Sequence, residues 1–116
     1  MHQMFPQRGE IYLVKIPGHP LDRKLRPALV VSIDVRNQWA HDVMVVPLST
    51  TLRAAPTHVL IPVGAAGLHH DSMAKCEQLT TLDKRLLIRG PFAGTLSERL
   101  MVQVEQGIMR AIGLVV

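Results

Sequence analysis

Ala28-Leu29-Val30-Val31-Ser32-Ile33 and, after a polar interval, Val43-Met44-Val45-Val46-Pro47-Leu48 are short aliphatic clusters with no helical spacing. Runs of this length, rich in Val, Leu and Ile, read as strands packed on both faces. Upstream, Pro27 fixes its own φ and biases Arg26 towards an extended backbone, closing a polar, basic loop over residues 17–26. Pro47 lies near the end of its run, where a missing donor is tolerated, and Ser49-Thr50-Thr51 leave the sheet.

Outward from these two runs the same signals repeat. Ile11 to Ile16 reads as a first strand, broken by Pro17-Gly18-His19-Pro20. Asp34 to Asp42 is polar and reads as a turn. His58 to Val63 is a further strand, and Gly64-Ala65-Ala66-Gly67 a flexible turn. Ser72 to Leu79 reads as a partly exposed strand that includes Cys76, and Leu87 to Phe92 as a last one interrupted by Gly90-Pro91. The period then changes. Leu100, Val104, Ile108 and Ile112 recur every fourth residue beside Met101, which predicts a helix over 96–112. Thr95 with Glu98 makes a capping box, and Gly113 is placed to end the helix. The expected fold is mainly β: one domain over residues 1–116, a small, strongly bent sheet or barrel with a C-terminal amphipathic helix against it.

Composition narrows the class. Of 116 residues, 47% are hydrophobic but 3% aromatic, so the core must be aliphatic. No apolar stretch is long enough for a membrane span, and the start has no basic region followed by an apolar run. The single cysteine, Cys76, cannot make an internal disulfide, which suits the cytoplasm. The net charge of +4 permits a polyanionic partner without naming one, and Arg8, Lys15, Arg23, Lys24 and Arg26 outnumber Glu10 and Asp22 over residues 8–26. Low aromatic content argues against an extensive base-stacking platform.

Several chemistries are absent from the sequence. There is no Walker or Rossmann glycine loop, no zinc-type Cys/His spacing and no Gly-x-Ser-x-Gly elbow. His69-His70-Asp71 is a poor chelate, since neighbours on an extended chain point to opposite sides, and a surface turn is expected there. Cys76 reads as a small core residue and His58 as a strand-end histidine. No metal or other cofactor is expected.

Three segments in order carry more than this: Arg8-Gly9-Glu10-Ile11-Tyr12, Arg26-Pro27-Ala28-Leu29-Val30-Val31-Ser32 and Val45-Val46-Pro47-Leu48-Ser49-Thr50. Asp71-Ser72-Met73, Glu77-Gln78-Leu79-Thr80-Thr81-Leu82-Asp83-Lys84 and the terminal helix follow. From about residue 8 to residue 114 the chain resembles the MazF/PemK (Kid) toxin endoribonucleases of type II toxin–antitoxin systems. The resemblance implies an SH3-like barrel of CcdB/MazF type and a homodimer. It implies metal-independent, sequence-selective cleavage of single-stranded RNA to 2′,3′-cyclic phosphate and 5′-hydroxyl ends. It also implies a cognate antitoxin protein that covers the RNA groove. Arg26 matches the family's arginine before proline, and Ser49 falls where the family usually has a catalytic threonine, with Thr50 beside it as the other candidate hydroxyl. Where the family loop often carries Gly-Ser-Glu-Gln-Gly-Gly, this chain has the shorter His19-Pro20-Leu21-Asp22-Arg23-Lys24-Leu25.

These residue types suit a reaction in which RNA supplies its own nucleophile. The 2′-hydroxyl attacks the adjacent phosphorus, so the protein must align the oxygens and stabilise added negative charge. Arg26 offers a planar fork of donors and Ser49 or Thr50 a hydroxyl. Arg23, Lys24 and Arg53 are candidates to track the RNA backbone, and Gln78 has the donor–acceptor pair needed to read a base edge. Two other classes remain: a gyrase-inhibiting toxin on the same fold, like the CcdB proteins, which does not use the Arg26-Pro27 and Leu48-Ser49 motifs, and a degenerate member that only binds RNA or antitoxin.

Overall fold

The computed structural model describes residues 4–17 and 24–114. Seven strands are defined among them: β1 (Ile11–Val14), β2 (Arg26–Val30), β3 (Asp42–Ser49), β4 (His58–Ile61), β5 (Ser72–Lys75), β6 (Thr80–Asp83) and β7 (Leu87–Arg89). They form an antiparallel sheet in the order β4-β5-β3-β2-β1-β7, with β6 also paired to β3. The helices are α1 (Asp34–Trp39) and α2 (Glu98–Ala111). The expectation of a mainly β fold closed by an amphipathic C-terminal helix holds.

The unbroken apolar character of β2 and β3 has a packing cause. Leu29, Val46 and Leu48 enter one core with Ile11, Ile61, Ala74, Met101 and Val104. Ala28, Val30, Val43 and Val45 enter a second core on the other face with Val14 and Leu82. A strand buried on both faces has no polar side to show, so its sequence does not alternate.

Helix α2 begins two residues later than expected, and its cap is Ser97 rather than Thr95. The Ser97 side chain accepts from the Leu100 N–H at 3.3 Å. Leu96 before the cap and Met101 in the next turn are buried in the same core, the pairing of a hydrophobic staple. At the other end the Gly113 N–H donates to the Arg110 carbonyl and the Leu114 N–H to the Met109 carbonyl. This double closure needs a left-handed residue, and Gly113 supplies it with φ +87°. Ile112, expected on the buried face, is 66% exposed beyond the last turn.

Residues 34–39, expected as part of a turn, are helical. The pattern is inverted there: Val35 and Trp39 face outwards, while Asn37 is buried. Asn37 is satisfied by Ser32, donating to its carbonyl at 2.9 Å and accepting from its hydroxyl at 2.5 Å. A polar residue on the buried face erases the periodicity that marks a helix.

The expected strand over 72–79 is also divided. β5 ends at Lys75, Cys76–Gln78 forms a 3₁₀ turn, and β6 starts at Thr80. Both strands pair along the same side of β3, with Leu48 opposite Ala74 in one and Val45 opposite Thr80 in the other. The register therefore slips by three residues, the length of the turn. The turn directs Cys76 into the core and leaves Glu77 and Gln78 exposed.

Candidate functional site

The β2–β3 ladder pairs Val30 with Val45, Leu29 with Val46 and Ala28 with Pro47. Continued two residues to the ends of both strands, this register sets Arg26 opposite Ser49. Alternation puts the two on the same face as Ala28 and Val45, the face of the second core. That core ends here, and a cleft of about 210 Å³ opens in its place. Ile16, Pro47 and Leu48 supply its apolar wall, and Lys24, Arg26, Ser49, Lys75 and Gln78 its polar groups. Three of those are cations, and no carboxylate lines the cleft among the described residues.

Ser49 is half-buried. Its Oγ accepts the Thr51 N–H at 3.2 Å, which leaves the hydroxyl hydrogen available for an oxygen in the cleft. Thr50 points elsewhere. It lines a larger, mostly apolar cavity of about 590 Å³ with Leu13, Pro27, Leu68, Phe92 and others, on the opposite side of the β2–β3 ends. Arg26 and Ser49 thus share one cavity while their chain neighbours Pro27 and Thr50 share the other.

The remaining sequence candidates divide. Lys24 and Gln78 join Arg26 and Ser49 at the cleft. Arg53 is exposed and lines neither cavity. Arg23, like most of the altered loop, lies outside the described residues. Lys75 was not anticipated; its only signal in the sequence is a lone cation within the otherwise uncharged Ser72–Cys76 stretch.

Around the cleft the polar groups are well partnered. His58 Nδ1 lies 2.7 Å from the Arg53 carbonyl and Nε2 3.1 Å from a Glu77 carboxylate oxygen. The other Glu77 oxygen accepts from the Thr57 hydroxyl at 2.8 Å. Burial alone would raise the Glu77 carboxyl, but hydrogen bonds from Thr57, its own backbone and His58 together bring it below the usual carboxylate value. Cys76 shows the opposite balance: burial, then the Glu77 charge, push its thiol up to about 11. A thiol so held is a poor nucleophile at neutral pH.

His69-His70-Asp71 behaves as a surface turn. His69 stacks on Phe92 with ring centres 5.3 Å apart, the His70 carbonyl accepts from Ser72, and Asp71 accepts the Val63 N–H. Among the described residues no three His, Cys, Asp or Glu side chains gather in a group that could hold a metal ion. No described helix is long and apolar enough to cross a membrane.

Comparison with known proteins places these features. A family model described as "PemK-like, MazF-like toxin of type II toxin-antitoxin system" matches residues 7–112. The chain is similar to the endoribonuclease MazF of Staphylococcus epidermidis, at 32% identity over 93% of this chain and 92% of that protein. It is similar to the endoribonuclease EndoA of Bacillus subtilis, at 26% identity over 97% and 98%. Among solved structures, a mycobacterial endoribonuclease in complex with its cognate antitoxin superposes with a TM-score of 0.78, at 27% identity over 96% of this chain and 98% of that one.

Proposed function

This chain belongs to the PemK-like, MazF-like toxins of type II toxin–antitoxin systems, and from that premise we propose that it is an endoribonuclease cutting single-stranded RNA at the Arg26–Ser49 cleft. The observation that carries this reading is the meeting of Arg26, from the start of β2, and Ser49, from the end of β3, in one cleft lined by cations.

In this reading the scissile phosphate sits between the guanidinium and the hydroxyl. The substrate's 2′-hydroxyl gives its proton to water as its oxygen attacks phosphorus, and the P–O5′ bond breaks with the 5′-oxygen taking a proton from water. The products are a 2′,3′-cyclic phosphate and a 5′-hydroxyl, and no metal takes part. The Arg26 fork spans two phosphoryl oxygens and stabilises the charge they gain in the transition state. Arginine stays protonated throughout, so its role is charge stabilisation rather than proton transfer. Ser49 donates its hydroxyl hydrogen to a phosphoryl oxygen. Lys24 and Lys75 hold the phosphates on either side, contributing affinity and salt dependence rather than sequence preference. Gln78 reads the edge of an unpaired base. The protein works as a cytoplasmic homodimer, and its antitoxin covers the same cleft.

Incubation of the purified protein with a long unstructured RNA in EDTA tests the proposal. Fragments with cyclic phosphate ends are expected. Ser49→Ala lowers the cleavage rate by about 10–100-fold, the loss of one hydroxyl donor to a charged oxygen, whereas Thr50→Ala changes it less than about 3-fold. Uncut RNA, or an equal loss in both variants, would overturn the assignment. Intact RNA together with inhibited gyrase would point to the protein-binding alternative.

A further inference from the structure

His58 stands at the start of β4 with its side chain only 8% exposed, between two pieces of chain that the sheet does not hold. On one side is the segment that follows Ser49, reached through the Arg53 carbonyl; on the other is the Cys76–Gln78 turn, reached through Glu77. Both partners are acceptors. Each faces one ring nitrogen, so the ring is held between them. The contacts form a chain. The carbonyl fixes the ring, the ring fixes one carboxylate oxygen, and Thr57 fixes the other. The Cys76 N–H, donating to the Thr57 carbonyl at 3.0 Å, ties down the start of the same turn. Lys75 is the cross-strand partner of His58 on β5.

A 3₁₀ turn of three residues has little stability of its own. Its middle residue is Glu77, and its last, Gln78, reaches the cleft beside Arg26 and Ser49. We propose that His58 is a positioning residue for substrate recognition: through Glu77 it locks the Cys76–Gln78 turn and holds Gln78 at the angle at which it meets the RNA. This rests on the nuclease reading of the cleft and adds to it a residue that touches no substrate. A turn left loose would have to be ordered when RNA binds, so loss of His58 falls on binding rather than on the chemical step.

The test is a double-mutant cycle on RNA cleavage with His58→Ala and Gln78→Ala, each variant checked by thermal denaturation. His58→Ala is expected to raise KM about tenfold with kcat within about twofold of the parent, and to change KM less than about twofold once Gln78 is already alanine. Glu77→Ala, whose side chain is 40% exposed, carries the same cycle if His58→Ala fails to fold. Glu77→Gln, which keeps an acceptor for Thr57 and a group to meet the ring, is expected to stay within about twofold of the parent. Effects of His58→Ala and Gln78→Ala that multiply, or a loss confined to kcat, would overturn the inference while leaving the nuclease reading intact. A parent protein that cuts no RNA would overturn both.

Discussion

Replacing Arg26 with alanine lowers RNA cleavage about a thousandfold, or ~4 kcal/mol in the barrier, and leaves the fold intact. The magnitude follows from what the side chain is asked to do. As the 2′-oxygen adds to phosphorus, negative charge builds on the phosphoryl oxygens, and a donor aimed at that charge is worth more in the transition state than in the bound substrate. Single oxyanion donors are worth about 10²–10³ in rate, and a guanidinium adds a full charge and a second donor to that. The loss should therefore appear in kcat, because Lys24 and Lys75 line the same cleft and in the proposed site remain to hold flanking phosphates. Arg26→Lys is expected to recover only part, about tenfold below the parent, since an ammonium keeps the charge but not the fork. Arg26 is exposed at the first position of β2, so the unfolding midpoint in urea should stay close to that of the parent. Single-turnover cleavage rates and urea titrations on the same preparations measure both quantities. A drop in rate smaller than about tenfold, or a drop matched by lost stability, would remove Arg26 from the catalytic centre.

How far the sequence discloses this arrangement depends on which physical signal each element leaves. β2 and β3 are legible because burial on both faces writes an unbroken aliphatic run, and α2 because one buried face writes a four-residue period. α1 is not legible, since its buried position is Asn37 and its outward residues are Val35 and Trp39. The turn between β5 and β6 is hidden for another reason. Its cause is a register slip along β3, and a slip is a relation between distant residues that no local pattern records. The site divides in the same way. Arg26, Lys24, Ser49 and Gln78 are named by the family resemblance and by residue chemistry, and the structure brings them to one cleft. The choice between Ser49 and Thr50 was open in the sequence because adjacent residues on a strand face opposite ways, and only the cavities they line tell which one joins Arg26. Lys75, and the bridge from Arg53 through His58 to Glu77, needed the three-dimensional path of the chain.

Gly107→Ala should destabilise the protein by about 2 kcal/mol, although the same change in an exposed helix would stabilise it by about 1 kcal/mol. Gly107 is a buried interior residue of α2, where glycine is the poorest choice apart from proline. Its presence is explained by what a side chain there would meet. An added Cβ would lie 2.6 Å from Cys76 Sγ, 3.2 Å from Cys76 Cβ and 3.4 Å from Val59 Cγ2. Cys76 is 1% exposed, and its sulfur faces the Val104 and Ala74 carbonyls, so it has no open space to rotate into. The helix must move away from β4 and the Cys76–Gln78 turn, or the turn must move towards the cleft. Overpacking of this kind costs about 1–3 kcal/mol, occasionally more, enough to outweigh the gain in helix propensity. A loss of ~2 kcal/mol should lower the melting temperature by roughly 8 °C. The cause is separable from a general intolerance of the helix. Cys76→Ala removes the sulfur that the new methyl would strike, so in that background Gly107→Ala should cost less than about 0.5 kcal/mol, a coupling of about 1.5 kcal/mol between the two sites. Urea unfolding of the four proteins measures the cycle. A Gly107→Ala protein as stable as the parent, or effects that simply add, would mean that α2 does not need this close approach to the turn that carries Gln78.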